Sequence, residues 1–181
     1  MPAQEGPQER HRWLEALYDA HADRVLGYLL HRTDRETAQE LVSETFLLAW
    51  RKQRTVPDDA LPWLLATARR LLANRVRSDQ RRWALAERIR TAADDAPAAA
   101  FEDRVGDREH VFRVLMLLSE ADREVLLLTG WYDLTGPQAA KALGCTRAAY
   151  ALRLHRARKR FRAALERQHA STATLDSEVP A

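Results

Sequence analysis

The sequence has little of what disulfide scaffolds, metal sites and membrane segments require. Cys145 is its one cysteine, so no internal disulfide can form, and no group of Cys and His residues has metal-ligand spacing. No stretch approaches the ~18 uninterrupted apolar residues of a membrane span, and Met1–Gln8 contains no apolar signal segment. We therefore expect a cytoplasmic protein without metal or cofactor, in which Cys145 is a small buried apolar residue.

Glycine is also scarce, with 6 in 181 residues, whereas Ala, Leu, Arg and Glu dominate. Because the dominant side chains lose little rotamer freedom in a helix, we predict an all-α protein with two small helical domains joined by a flexible linker. The predicted parts are a helical bundle over residues 11–82, a linker over 83–106, a helix-turn-helix domain over 107–167 and a disordered tail over 168–181. Residues 84–91 of the linker are also compatible with a continued helix.

Positive charge is concentrated in two segments, although the formal net charge is only +3. Lys141–Arg167 contains nine Lys or Arg residues against one acid, and Arg69–Arg82 contains six arginines against one acid. Such concentrated positive charge creates a local electrostatic potential that attracts the phosphates of nucleic acid. The two basic segments predict two contacts with nucleic acid.

The segment from Thr135 to about Arg158 has the turn chemistry of a helix-turn-helix. Pro137 suits the first turn of a helix, and Ala140 is small where two helices must approach closely. Gly144 can adopt the left-handed conformation that ends the first helix, and Thr146 can cap the second. These signals agree in register and predict a DNA-binding unit.

Two stripes differ in chemistry along the helix that follows Thr146. The apolar stripe, spaced at three and four residues, consists of Tyr150, Leu154, Ala157, Phe161 and Leu165. Arg153, Arg156 and Arg160 form a separate basic stripe. The pattern favours a helix in the major groove, with Arg147–Leu152 nearest the bases, over a solvated surface helix.

Three helices are predicted before the linker, the first of them over residues 11–31. Thr33–Glu36 has the form of a capping box and predicts the start of a second helix reaching about Lys52. Thr55–Leu61 is predicted to be a loop, and a third helix follows from Pro62 to about Arg82. The second helix carries an acidic stripe, which taken alone is typical of a solvated face.

The chain resembles the extracytoplasmic-function sigma factors of bacterial RNA polymerase in two places. The resemblance to their C-terminal promoter-binding domain rests on Leu118–Leu128, Asp133–Thr135, Ala139–Thr146 and Arg153–Arg158. The resemblance to their other conserved domain rests on Leu17–His21, Glu40–Arg51 and Trp63–Arg70, in the right order and separation.

The resemblance implies a specificity subunit that binds core RNA polymerase, recognises two promoter elements and begins DNA melting. It implies that the acidic helix docks on the largest polymerase subunit, with Glu36, Glu40, Glu44 and Trp50 as candidate docking or supporting residues. It further implies that the third helix and the preceding loop bind the start-proximal element through Trp63, Arg69, Arg70, Asn74 and Arg77. Trp63 fits a core position equally well. Anti-sigma partners are common in the family.

The candidates for the upstream promoter element lie at the start of the recognition helix: Thr146, Arg147, Ala148, Ala149, Ala151, Arg153, Arg156 and Arg158. The alanines can offer only methyl contacts, to thymine for instance. Direct reading of bases by hydrogen bonds would then fall to Arg147 and Arg153, with Arg156 and Arg158 on phosphates. We expect modest intrinsic specificity and a steep salt dependence.

Three other functions have to be weighed against this interpretation. A stand-alone helix-turn-helix regulator would bind duplex DNA tightly by itself. An enzyme using His21, Asp23, Glu40 or Glu44 is disfavoured because the sequence has no Ser-His-Asp set and no glycine-rich phosphate loop. An interaction module would leave the basic segments unexplained. We therefore predict that the chain is not an enzyme.

Overall fold

A computed structural model describes residues 6–87 and 107–176, and the side chains of residues 6–81 and 110–168. All regular structure within these residues is helical. The chain divides into two compact units, Met1–Ala100 and Phe101–Ala181. The dividing point falls inside the segment predicted as a linker, of which residues 88–106 lie outside the described residues.

The first unit contains three mutually packed helices, α1 (Pro7–Leu30), α2 (Arg35–Arg51) and α3 (Leu61–Glu87), with a short 3₁₀ turn at Gln53–Thr55. Their inward faces are apolar and include the fully buried Val25, Leu29, Leu41, Ala49, Leu64, Leu65 and Ala68. The buried Thr45 hydroxyl donates to the Leu41 carbonyl at 2.7 Å, so this polar group is satisfied within its own helix.

One prediction about the first unit is wrong in detail, and one open alternative is decided. Asp34, rather than Thr33, caps α2: its carboxylate accepts from the Thr37 backbone N–H at 2.9 Å. Thr33 donates its hydroxyl to Asp34 instead, so the predicted capping box does not form. Helix α3 continues to Glu87, which favours the alternative of a continued helix at the start of the linker segment. Residues 83–87 extend a helix that is already formed.

The second unit contains α4 (Asp107–Met116), α5 (Glu120–Gly130), α6 (Gly136–Leu143) and α7 (Arg147–Asp176), and each of the first three packs against α7. The Ser119 hydroxyl caps α5 as predicted, accepting from the Asp122 backbone N–H at 3.2 Å. The core between these helices includes Val114, Leu128, Ala139, Ala140, Tyr150 and Ala157.

The turn between α6 and α7 confirms the predicted helix-turn-helix geometry. Gly144 is left-handed with φ 65°, and the Cys145 backbone N–H donates to the Ala140 carbonyl at 3.0 Å. Thr146 caps α7, since its hydroxyl accepts from the Ala149 backbone N–H at 3.2 Å. Cys145 is half-buried in the turn itself, not fully buried as predicted.

The predicted disordered tail is also wrong over part of its length. Helix α7 extends to Asp176, so residues 168–176 are helical, and residues 177–181 lie outside the described residues. Residues 168–176 contain neither glycine nor proline. Extending a helix that is already formed adds one backbone hydrogen bond per residue without a new nucleation cost.

Candidate nucleic-acid interface

One face of α7 is anchored to the second unit. Tyr150 is 2% exposed and Ala157 is fully buried, while Leu154, Phe161 and Leu165 are half-buried. The apolar stripe predicted from the sequence therefore does face the core. Ala164, which the prediction omitted, is buried as well.

The Tyr150 hydroxyl ties α7 to α5. It donates to the Val125 carbonyl at 3.2 Å and forms a second hydrogen bond with the Thr129 hydroxyl. Since the tyrosine proton points at the carbonyl, the Thr129 hydroxyl is the donor of the second bond. Burial raises the pKa of Tyr150, which keeps the phenol neutral and able to donate.

The outward side of α7 carries nearly all the residues predicted to contact the upstream element. Exposed members of the set are Thr146, Arg147, Ala148, Ala151, Arg153, Arg156 and Arg158, and Ala149 is half-buried. None of the four arginines forms an ion pair or side-chain hydrogen bond with another described residue. Their guanidinium groups are therefore available to phosphate.

Arg160 differs from the other arginines of its predicted stripe. Its Nη1 lies 2.8 Å from both carboxylate oxygens of Asp122, at the start of α5. The Asp122 side chain is only 13% exposed and also accepts from the Ser119 hydroxyl. Arg160 thus fastens α7 to α5, whereas Arg153 and Arg156 in the same stripe stay open to solvent.

Most residues predicted for the start-proximal element share one face of α3. Trp63, Arg70 and Asn74 line a shallow pocket of about 180 Å³ together with Leu48, Lys52, Thr67 and Leu71. Trp63 is half-buried, so it is both a packing residue and a pocket wall. The pocket lies between the end of α2 and the first turns of α3.

Hydrogen bonds hold the polar side chains of this face in place. Arg70 donates to the Ala66 carbonyl and to the Thr67 hydroxyl, each at 3.3 Å. Arg77 donates to the Asn74 amide oxygen at 2.6 Å. Arg69 is exposed but is not among the residues that line the pocket.

The predicted docking residues of α2 fall into two groups. Glu36, Glu40 and Glu44 are exposed, and Glu40 forms an ion pair with Arg75 of α3 at 3.1 Å. Trp50 is half-buried, with the Arg10 guanidinium 4.5 Å from its ring centroid and the His11 ring edge-on at 5.9 Å. Trp50 therefore supports the packing of α1 on α2, and no sequence pattern in α1 pointed to this contact.

Two other kinds of site were sought in the described part of the chain. Within it, no three His, Cys, Asp or Glu residues are grouped so as to hold a metal ion. Among the described helices, none combines the length and apolar character that a membrane crossing needs.

Comparison with known proteins identifies both units. Residues 17–82 match the model of sigma-70 region 2, and residues 109–161 match the model of sigma-70 region 4. The extracytoplasmic-function sigma factor SigL of Mycobacterium tuberculosis is 30% identical over 162 residues, covering 84% of this chain and 89% of SigL. The chain belongs to the extracytoplasmic-function sigma factors of bacterial RNA polymerase. SigC from the same species is 33% identical over 152 residues, covering 81% of this chain and 80% of SigC.

Solved sigma factors share the fold. The sigma factor RpoE of Bartonella quintana, crystallised with the anti-sigma factor NepR, superimposes with a TM-score of 0.66 at 20% identity, covering 84% of this chain and 96% of that one. CnrH, solved with the cytosolic domain of CnrY, gives a TM-score of 0.53 at 22% identity, covering 93% and 91%.

The predicted family is thus confirmed. Sigma factors are DNA-binding transcription initiation factors and not enzymes, so membership of this family replaces both the stand-alone regulator and the enzyme as interpretations of the chain. The residues assigned above to each promoter element and to polymerase docking stay predictions.

Proposed function

We propose that this sigma factor directs core RNA polymerase to promoters by a two-point grip. The start of α7 binds the upstream element as duplex, and the Trp63–Arg77 face of α3 binds the start-proximal element as unstacked single strand. The acidic face of α2 docks on polymerase. The observation that carries the proposal is the exposed set of α7 arginines, which are free of ion pairs with other described residues and directly follow a helix-turn-helix turn.

The α3 face fits single-stranded DNA rather than duplex. Its pocket has one aromatic wall, Trp63, and polar groups at Arg70 and Asn74 that are already oriented by hydrogen bonds. An unstacked base can stack on an aromatic ring while an arginine binds the adjoining phosphate. An extruded base is read by hydrogen bonds to its edge, which Asn74 can supply.

Run-off transcription with purified core polymerase on a genomic fragment library tests the grip. We expect transcripts with the full chain and their loss with Glu40→Lys plus Glu44→Lys, which reverses two charges four residues apart on α2. The matched control is Glu15→Lys plus Asp19→Lys, which reverses two exposed acids at the same spacing on α1. Absence of transcripts with the unaltered chain on every template contradicts the proposal.

One further control separates docking from folding. Glu40 also pairs with Arg75, so its reversal breaks an internal contact. Arg75→Ala removes that contact and leaves the acidic face intact. We expect Arg75→Ala to transcribe normally, since exposed ion pairs contribute little to stability. If it fails as badly as the double reversal, α2 acts through α3 and not through polymerase.

An anti-sigma factor that withholds the chain from polymerase is a further predicted partner. Co-purification of the full chain with a second protein that suppresses the transcripts would support it. A second protein that co-purifies without affecting transcription would not.

A further inference from the structure

The buried residues of α7 fix which residues point away from the protein. Tyr150, Ala157 and Ala164 are buried, and successive residues turn by about 100° around the helix axis. The side opposite these three is occupied by Ala148, Leu152, His155 and Lys159, all of them exposed. We call these four residues the outer ridge. Leu152 stands near its middle and is 51% exposed, a large apolar side chain left open to solvent.

Arginines flank the outer ridge on both sides. By the same rotation, Arg147 and Arg158 lie to one side of the ridge, and Arg153 and Arg156 lie to the other. All four are exposed and without ion pairs among the described residues. Arg160, one turn further on, is held by Asp122. The double arginine border therefore belongs to the first turns of the helix.

This arrangement is complementary to a major groove. The groove is about 12 Å wide and accepts a helix, with phosphates along both rims and base edges at its floor. Flanking arginines then reach the two rims while the ridge faces the floor. The apolar group that bases present there is the 5-methyl of thymine, and Leu152 with Ala148 can contact it without leaving a polar atom unpaired.

We propose that Leu152, supported by Ala148, reads thymine in the upstream promoter element through its methyl group, and that the flanking arginines bind phosphate. The proposal rests on the proposed function, in which α7 binds the upstream element. It differs from the prediction made from sequence, which assigned hydrogen-bond reading of bases to Arg147 and Arg153 and methyl contacts to the alanines. Leu152 was placed in the segment nearest the bases but was assigned no contact. Both of those arginines lie between the outer ridge and the buried side of α7. From there the phosphates at the rims of the major groove are nearer than the base edges at its floor.

The test uses the full chain assembled with core polymerase. Holoenzyme first selects binding sequences from a duplex library randomised across the upstream region. We expect the selected motif to contain thymine at one or two adjacent positions and Leu152→Ala to lose preference there alone. Leu152→Ala should fold normally, since the side chain is exposed and alanine favours helix. Leu117→Ala, which shortens an exposed leucine outside α7, is the matched control and should leave the motif unchanged.

Replacing the selected thymine by uracil removes only the methyl group. We expect uracil to weaken binding of the unaltered holoenzyme about three- to fivefold, the value of one buried methyl. We expect no effect of uracil on the Leu152→Ala holoenzyme. Arg153→Ala should instead weaken binding to all sequences alike and leave the uracil effect intact.

Two results overturn the proposal while leaving the two-point grip in place. One is a uracil effect of equal size in the Leu152→Ala and unaltered holoenzymes. The other is an unchanged motif with transcription reduced at every promoter alike, which would make Leu152 a contact for protein. If the unaltered holoenzyme selects no upstream motif at all, the upstream half of the proposed function fails, and the reading by Leu152 fails with it.

Discussion

Helices α3 and α7 both carry rows of arginine, and they differ in what those arginines touch. On α3, Arg70 and Arg77 donate to neighbouring side chains of their own helix, and Arg75 pairs with Glu40 and Asp79. On α7, Arg153 and Arg156 have no such partners among the described residues, and Arg160 is the arginine held by an acid.

This difference between the α3 and α7 arginines matches the two modes of nucleic-acid binding proposed above. Arginines already fixed by internal bonds present a defined shape, which suits a pocket for an unstacked base. Arginines without partners attract phosphate over a distance and release counterions when they bind, which suits duplex capture. The buried contacts of the two helices also differ: those of α3 include Leu64 and Leu65, while α7 adds buried hydrogen bonds of the Tyr150 hydroxyl.

Removing the Tyr150 anchor should have the largest effect and should be confined to one unit. Tyr150→Ala deletes a buried ring and its hydrogen bonds, and we expect it to destabilise the second unit by about 3–5 kcal/mol. Tyr150→Phe keeps the ring and should cost about 1 kcal/mol. Native-state hydrogen exchange should show faster exchange in α5 and α7 and unchanged rates in α1 and α2. Equal losses in both units would mean that the units do not fold separately.

The salt dependence of promoter binding should sharpen the contrast between the two helices. Arg153→Ala plus Arg156→Ala removes two phosphate contacts, so the slope of log K against log salt should become shallower by about 2. Arg70→Ala plus Arg77→Ala should change the slope by less, because these guanidinium groups are already engaged and single strands release fewer counterions. Holoenzyme binding to one selected promoter, titrated over salt, measures both. Equal changes in slope would remove the distinction drawn here.

Local turn chemistry made the helix-turn-helix readable from sequence. Gly144, Thr146 and Ser119 each act within four residues of their own position, and each was predicted correctly. The cap of α2 was not, because Thr33 and Asp34 are adjacent and both can cap. The carboxylate of Asp34 accepts the Thr37 N–H, and that choice depends on the backbone path into the helix.

Contacts between distant residues escaped prediction for a different reason. Arg10 meets Trp50 across 40 positions, and Arg160 meets Asp122 across 38. Neither pairing has a periodic signature, so the prediction named no partner for Trp50 and placed Arg160 in a basic stripe. Leu152 was within reach of sequence reasoning, since it lies opposite the predicted apolar stripe. The prediction placed Leu152 in the segment nearest the bases but assigned it no contact.

The smallest expected effect is a difference in pH dependence between the helix caps of the two units. Hydrogen bonding to the Thr37 backbone N–H holds the pKa of Asp34 below its ordinary value of 3.8. A lowered native pKa means that the cap is fully effective above about pH 5 and is lost as the pH falls through the native pKa.

Asp34→Ala should therefore cost the first unit about 1 kcal/mol near neutrality and progressively less below pH 4. Ser119→Ala, which removes a hydroxyl cap from α5, should still cost the second unit stability at pH 3, because the bond from the Asp122 backbone N–H to the serine hydroxyl involves no titrating group. Hydrogen exchange of the amides in α2 and α5 between pH 3 and pH 6 measures the stability that each variant loses relative to the unaltered chain. If Asp34→Ala still costs as much stability at the lowest pH, the Asp34 side chain stabilises α2 without its charge.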